Sequence, residues 1–426
     1  MRKPFDSVGS DFASFVSLPP RPHLPLALLA LLIACGPDST TTDTAPHIGD
    51  SLGIRIVSYD DTPTRTAPFQ LGTRPRYRHG ANPGDYAFQG ASVGRLLPDG
   101  SAVVYDMWNG ELIAFSPDGV THEVLAAEGD GPGDVRYVSG VFALGRDSIM
   151  VADTNLGRVT LFVGGSVART ISLPRSGGLA VKGIGSSGAL LLATSSGPPR
   201  FEEEWRPGHM VRFEMATGAL DTVATFDFMP RIPQGLQWNP IRALGEVAVA
   251  DGSFVRTRSD RAEVTWRLPD ATVTQIVRWQ AEPALLTEEA LGHIETEERM
   301  ELRMHNPGLS DTQILERNRR NMAAYYASVG RPMPLFGSLL ADDEGRVWLP
   351  SYNPGGEFHS VPPYMVIAPD GEWLGLVQAP PGFRILDVSS GLVLGAEVDE
   401  MDVVTVVLYE LIDEPRVTGL SAAPCD

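Results

Sequence analysis

Gly129-Asp130-Gly131-Pro132-Gly133-Asp134 decides how this chain is read. Glycine costs backbone entropy and proline lacks a donor, so this stretch cannot sit in a helix or a central strand. It is a tight loop, and it separates two blocks built on one plan. Ahead of it, Leu96-Leu97-Pro98-Asp99-Gly100-Ser101-Ala102-Val103-Val104-Tyr105-Asp106 reads as strand, turn, strand. Leu112-Ile113-Ala114-Phe115 before Pro117-Asp118-Gly119 adds a third strand and another turn. Behind it, Arg146-Asp147-Ser148-Ile149-Met150-Val151-Ala152-Asp153 and Val159-Thr160-Leu161-Phe162 ahead of Gly164-Gly165 repeat both pieces.

The same turn opens the second strand of further units at Ser187-Gly188, Leu244-Gly245, Glu344-Gly345 and Ser390-Gly391, which makes six units. Four of the five intervals have the length of a four-stranded unit, and the fifth, between Gly245 and Gly345, holds an insertion. Radial repetition of such sheets predicts an all-β fold, a six-bladed β-propeller of four-stranded antiparallel blades. The sixth unit ends after its third strand, near Leu411. Leu52-Gly53-Ile54-Arg55-Ile56-Val57-Ser58, which alternates apolar and polar residues, is expected to supply the missing outer strand and close the ring. Within the insertion, Thr287-Glu288-Glu289 starts one helix and Ser310 with Gln313 forms a capping box for a second. This predicts a helical hairpin between blades four and five.

The expected organisation is an export signal over 1–34, a tether over 35–50, the propeller over 51–413 with a mostly helical insertion at 281–335, and a tail over 414–426. The apolar run 24–33 is too short for a membrane-spanning helix and reads as the core of an export signal. The following stretch is rich in Thr, Pro and Asp and cannot bury enough apolar surface to order itself. Cys425, beside the C-terminus, reads as incidental. The formal charge is -19, and Lys3 and Lys182 are the only lysines, which argues against a nucleic-acid partner. A monomer is expected.

Leu32-Ile33-Ala34-Cys35-Gly36 is similar to the lipobox of bacterial lipoproteins, which implies lipidation of Cys35, a membrane partner through that anchor, and a place in the cell envelope outside the cytoplasm. Ser51-Leu52-Gly53-Ile54-Arg55-Ile56-Val57, the 129–134 loop, Arg146-Asp147-Ser148 and Val393-Leu394-Gly395-Ala396-Glu397-Val398-Asp399-Glu400 resemble a family of bacterial six-bladed β-propeller lipoproteins. That family is related in architecture to NHL-type propellers, and its hallmark is Gly-Glu-Gly-Pro-Gly-Glu-Phe. Here Asp130 and Asp134 replace the glutamates and Val135 the phenylalanine. The resemblance implies a fold and an exported location more than an activity.

Two functions are open. In the first, the protein is a binding or scaffold module for a protein or glycan ligand, with Trp108, Trp205, Tyr352, Phe358 and Tyr364 as anchors and no cofactor. In the second, it is a metal-dependent, lactonase-like hydrolase. Aligning the second strands places Asp106, Asp153, Asp251 and Glu397 at equivalent ends, where a ring of carboxylates could hold Ca2+ at the mouth of a central channel. An aspartate after a strand also begins a turn, and that reading is preferred, as is the binding module. His293 with Glu297 and Glu301 with His305 stand at i,i+4 spacing in the insertion, and solvated charge is the better reading of them.

Overall fold

Short runs in which buried side chains alternate with more exposed ones, bounded by Gly and Asp turns, fold here as strands. The computed structural model describes residues 45–174, 179–185, 187–195, 204–231, 241, 243–250, 252–306, 308–352, 361–399, 401 and 403–413. The N-terminal part contributes β1 (His47–Ser51), β2 (Ile54–Tyr59), β3 (Phe69–Leu71) and β4 (Tyr77–His79). Blade one is β5 (Ala91–Leu96), β6 (Ala102–Asp106), β7 (Glu111–Phe115) and β8 (His122–Ala126). Blade two is β9 (Val138–Ala143), β10 (Ser148–Asp153), β11 (Arg158–Val163) and β12 (Ser166–Ser172). Blade three is β13 (Ala180–Ile184), β14 (Leu190–Ser195), β15 (Trp205–Phe213) and β16 (Leu220–Pro230). Blade four is β17 (Gly245–Ala250), β18 (Ser253–Arg258), β19 (Glu263–Arg267) and β20 (Val273–Trp279). After the helices α1 (Glu288–His305) and α2 (Asp311–Tyr326), blade five is β21 (Leu340–Ala341), β22 (Val347–Ser351), β23 (Val361–Ile367) and β24 (Trp373–Val377). Blade six is β25 (Phe383–Ser389), β26 (Leu392–Val398) and β27 (Val404–Asp413), completed from the N-terminal part.

Apolar side chains fill the spaces between blades. Val103 and Leu112 of blade one meet Val141, Ile149 and Phe162 of blade two. Equivalent clusters join two to three, three to four, four to five, five to six and six back to one. Six such interfaces in sequence make a closed ring, so burial of each sheet face depends on its neighbour.

An N-terminal segment does close blade six, but not residues 52–58. Leu411 pairs with Leu71, and Leu408 pairs with Tyr77, so β3 and β4 occupy the outer edge of β27. β2 instead lies parallel to β20 on the outer edge of blade four, with Val57 opposite Val277 and Tyr59 opposite Trp279. Leu52 and Gly53, with φ of 55 and 80°, form the β1–β2 turn rather than strand. Alternation marks a segment as an edge strand, but it does not say which edge. Between these two sites the chain crosses blade five, where the Ala67 amide donates to the Leu376 carbonyl at 3.0 Å. The N-terminal part is thus a strap along the rim of blades four, five and six.

Blade four also departs from the expected register. Leu244-Gly245 does not open its second strand: Gly245 begins β17, the first strand, and the turn before the second holds Gly252. Gly245 is required for a close approach, because a Cβ there would run into the Asp227 carbonyl of β16. Position 251 therefore follows a first strand and is not equivalent to Asp106 or Asp153.

The helical hairpin forms as expected. The Thr287 hydroxyl accepts from the Ala290 amide at 3.1 Å. Ser310 and Gln313 form a reciprocal capping box. Leu286, Leu291, Ile294, Met322 and Tyr325 pack with Ile241, which fastens the hairpin to the chain entering blade four.

Candidate functional site: the long-loop face and the axial channel

In a blade of four antiparallel strands, the links from first to second and from third to fourth strand leave on one face. The link from second to third, and the crossing to the next blade, leave on the other. Turns on the first of these faces are short, and Gly100, Gly119, Gly188, Gly252, Gly345 and Gly391 take positive φ in them. On the other face lie the 129–134 loop and the helical insertion.

The 129–134 loop is held by its own carboxylate and by blade two. The Gly131 amide donates to Asp134 Oδ2 at 2.7 Å. A Cβ at Gly129 would run into that carboxylate, so the residue there must be glycine. Arg158 donates to the Gly131 carbonyl at 2.6 Å and the Asp134 carbonyl at 2.9 Å. Arg136 pairs with Asp130 at 2.9 Å. Val135 is buried, as an apolar residue at that position should be.

Asp106 and Asp153 sit beneath this face, both buried. Asp106 accepts from the amides of Gln89 at 2.8 Å, Gly90 at 3.0 Å and Trp108 at 3.2 Å, and from the Asn109 side chain at 3.0 Å. Asp153 accepts from the Arg136 and Tyr137 amides at 2.6 and 2.9 Å, and from the Leu156 amide at 2.8 Å. In blades one and two a carboxylate thus ties the incoming chain to the following turn, and the amides occupy its oxygens. Glu397 instead pairs with Arg78 of the closing strand. Asp251 lies outside the described residues. Among the described residues no group of three His, Cys, Asp or Glu side chains is placed to hold a metal ion. His293 is on α1, and the side chains of Glu297, Glu301 and His305 lie outside what is described.

The aromatic candidates separate. Trp108 is 54% exposed, and its ring covers Gly90, where a Cβ would run into it. Trp205, at the start of β15, is half-buried beneath the Arg258 guanidinium, 3.9 Å from the ring centroid. Tyr352, just after β22, is half-buried on the same face. Tyr364 belongs to the core, its hydroxyl donating to the Phe383 carbonyl at 3.3 Å and accepting from the Ile385 amide at 3.1 Å. Phe358 and Cys35 lie outside the described residues. Sequence reasoning missed Tyr137, 47% exposed, and Met401, 79% exposed, both on the long-loop face. Their signal is position: each lies in a connection that the repeat register assigns to this face.

The first strands of all six blades line an axial channel of about 420 Å³. Crowding at the axis explains glycines there: a Cβ on Gly94 would come within 2.9 Å of Leu386. Arg95 donates to Asp387 Oδ1 at 3.0 Å, and the Leu96 amide to its other oxygen at 2.8 Å. Burial pushes the Asp387 carboxyl above its ordinary value, and Arg95 opposes this. Neither residue stood out in sequence; the signal was a charge beside a glycine or among apolar neighbours in a first strand.

No protein-family model matches the sequence, and neither does any curated protein. Solved structures do share the fold. A Bacteroides fragilis protein inferred to be exported aligns over 84% of this chain and 100% of its own, at 11% identity and TM-score 0.50. A member of the DUF4221 family from Bacteroides vulgatus aligns over 82% and 100%, at 8% identity and TM-score 0.44. Regucalcin from Agrobacterium tumefaciens, a calcium-binding protein, aligns over 82% and 96%, at 12% identity and TM-score 0.40. The likeness is one of fold alone.

Proposed function

We propose that this chain is a lipid-anchored, extracytoplasmic propeller that binds a protein or glycan ligand on its long-loop face. The observation that carries the reading is the asymmetry between faces. One has tight turns; the other gathers the helical insertion, the 129–134 loop and the exposed Trp108, Tyr137 and Met401. Connections elaborated on one face of a rigid scaffold are where binding residues concentrate. Trp108 lies against Gly90, so its ring is presented at little entropic cost. Asp106 and Asp153 hold those connections in place, which gives them a part in a binding module without a metal. The lipobox-like 32–36 stretch supports an anchor at Cys35, and the Bacteroides fragilis protein of like fold is inferred to be exported, in keeping with it.

Binding to a panel of envelope glycans and surface proteins, followed by tryptophan fluorescence, tests this. A Trp108→Ala, Tyr137→Ala double variant is expected to lose binding at unchanged stability. Val120→Ser, at an exposed turn of the opposite face, should leave it intact. Equal loss in both variants, or in neither, refutes the assignment of the face.

A further inference from the structure

Blade four turns an arginine-rich sheet face toward blade three. Phe254 packs with Met210 and Phe226 of blade three, whereas Val255, Val264 and Trp266 pack toward blade five. Alternation along β18 and β19 then puts Arg256, Arg258 and Arg267 on the side of Phe254. Two contacts confirm this: Arg256 lies 5.8 Å from the Phe226 centroid, and Arg258 3.9 Å from that of Trp205.

The three guanidiniums are not equally matched. Arg258 pairs with Asp227 at 2.7 Å and Asp260 at 2.6 Å. Arg267 donates to the Ala271 carbonyl at 3.0 Å through one terminal nitrogen, and its buried Nε has no partner. Arg256 is half-buried, rests on an aromatic ring, and makes no hydrogen bond or ion pair among the described residues. Elsewhere in the blades, half-buried arginines reach a protein acceptor, Arg95 at Asp387, Arg158 at loop carbonyls, Arg346 at Asp342 and Arg384 at Ala91, although each of these also leaves one buried nitrogen without a partner. Arg256 pairs with Thr265, and Phe254 with Arg267, so the two arginines are diagonal neighbours on one sheet face. Burial and then the Arg267 charge push the Arg256 guanidinium below its ordinary value, while Asp227, already paired with Arg258, and Glu263 oppose this without reaching ion-pair distance of it.

We infer that the face of blade four turned toward blade three binds an oxyanion group, a sulfate, phosphate or carboxylate, between Arg256 and Arg267. A planar fork matches such a group with two parallel N–H donors, and no hydrogen bond among the described residues occupies the Arg256 fork beside Phe226. The anion would supply the acceptors that Arg256 lacks and relieve the repulsion. The site, on blade four, is separate from Trp108 and Tyr137 of the proposed ligand face, and its test does not depend on them.

Thermal unfolding in millimolar sodium sulfate, against sodium chloride of equal ionic strength, reads the site out. The natural chain is expected to show a saturable rise in Tm, by ligand linkage. Arg256→Met should match or exceed the natural chain's Tm without sulfate, because a partnerless half-buried charge is gone, and should lose the saturable rise. Arg267→Met is a second route to the same loss should Arg256→Met fail to fold. Absence of a saturable rise in the natural chain, or an equal rise in a folded variant, overturns the inference.

Discussion

Asp153 shows how one carboxylate can look catalytic in sequence and be architectural in the fold. One oxygen accepts two amides and the other accepts a third. In Asp153→Asn the amide nitrogen must face one of those donors, so a buried N–H loses its acceptor. A loss of about 1–3 kcal/mol is expected in urea unfolding. A variant of unchanged stability, in a protein whose natural form is stabilised by calcium, would instead favour the metal reading. His79 gives a pH-dependent counterpart at the ring closure. It is buried in β4, its Nε2 accepts from the Tyr86 amide at 2.9 Å, and its ring stands edge-on to His122 at 4.7 Å. Nδ1 lies 3.7 Å from Asp85, and the ring also meets Phe115. Burial lowers its pKa, the His122 charge adds to this, and Asp85 opposes it. The folded state thus favours neutral imidazole. Its contribution is complete above the unfolded value of about 6.5 and is lost as pH falls toward the folded one. Stability should therefore drop between pH 7.5 and 5.5, and less so in His79→Gln; an equal drop in both would remove His79 from the account.

At the scale of elements, the strap along the rim separates two contributions that the sequence reading had merged. Val57 and Tyr59 of β2 bury against blade four, and the Tyr59 hydroxyl accepts from the Trp373 amide at 2.8 Å and donates to the Gly371 carbonyl at 3.2 Å. β3 and β4 complete blade six. Truncation to residue 61 removes an added edge and should lower the unfolding midpoint while leaving a single cooperative transition. Truncation to residue 81 removes the closing strands, leaves β27 unpaired on one side, and should abolish cooperative unfolding. Cooperative unfolding after the longer deletion would show that the ring does not need its N-terminal closure. Gly245 teaches the same lesson within blade four. A glycine before an apolar run marked turns in other blades, but here it marks a strand start pressed against the Asp227 carbonyl.

For the whole molecule, the proposed anchor at Cys35 is tested apart from the ring. Cys35→Ala is expected to release the protein from membranes after a salt wash while leaving its thermal unfolding unchanged, since the strands of the described residues begin at His47. Membrane partition equal to that of the natural chain would end the lipoprotein reading. Among the described residues no helix is long and apolar enough to cross a membrane.

The sequence by itself determined the repeat, the number of blades, the helical hairpin with its caps, and the glycine loop at 129–134. These follow from interactions between residues near one another in the chain: strand alternation, turn conformations, capping hydroxyls. Only the tertiary structure decided which edge β2 joins, which segment closes blade six, where Gly245 falls in its blade, and that Asp106 and Asp153 are enclosed by amides. It also decided that Tyr364 is core while Trp108 is exposed, and that Arg256 and Arg267 are diagonal neighbours on one sheet face. Each of these depends on which distant surface a segment meets, and an alternating strand offers the same pattern to every edge that could accept it.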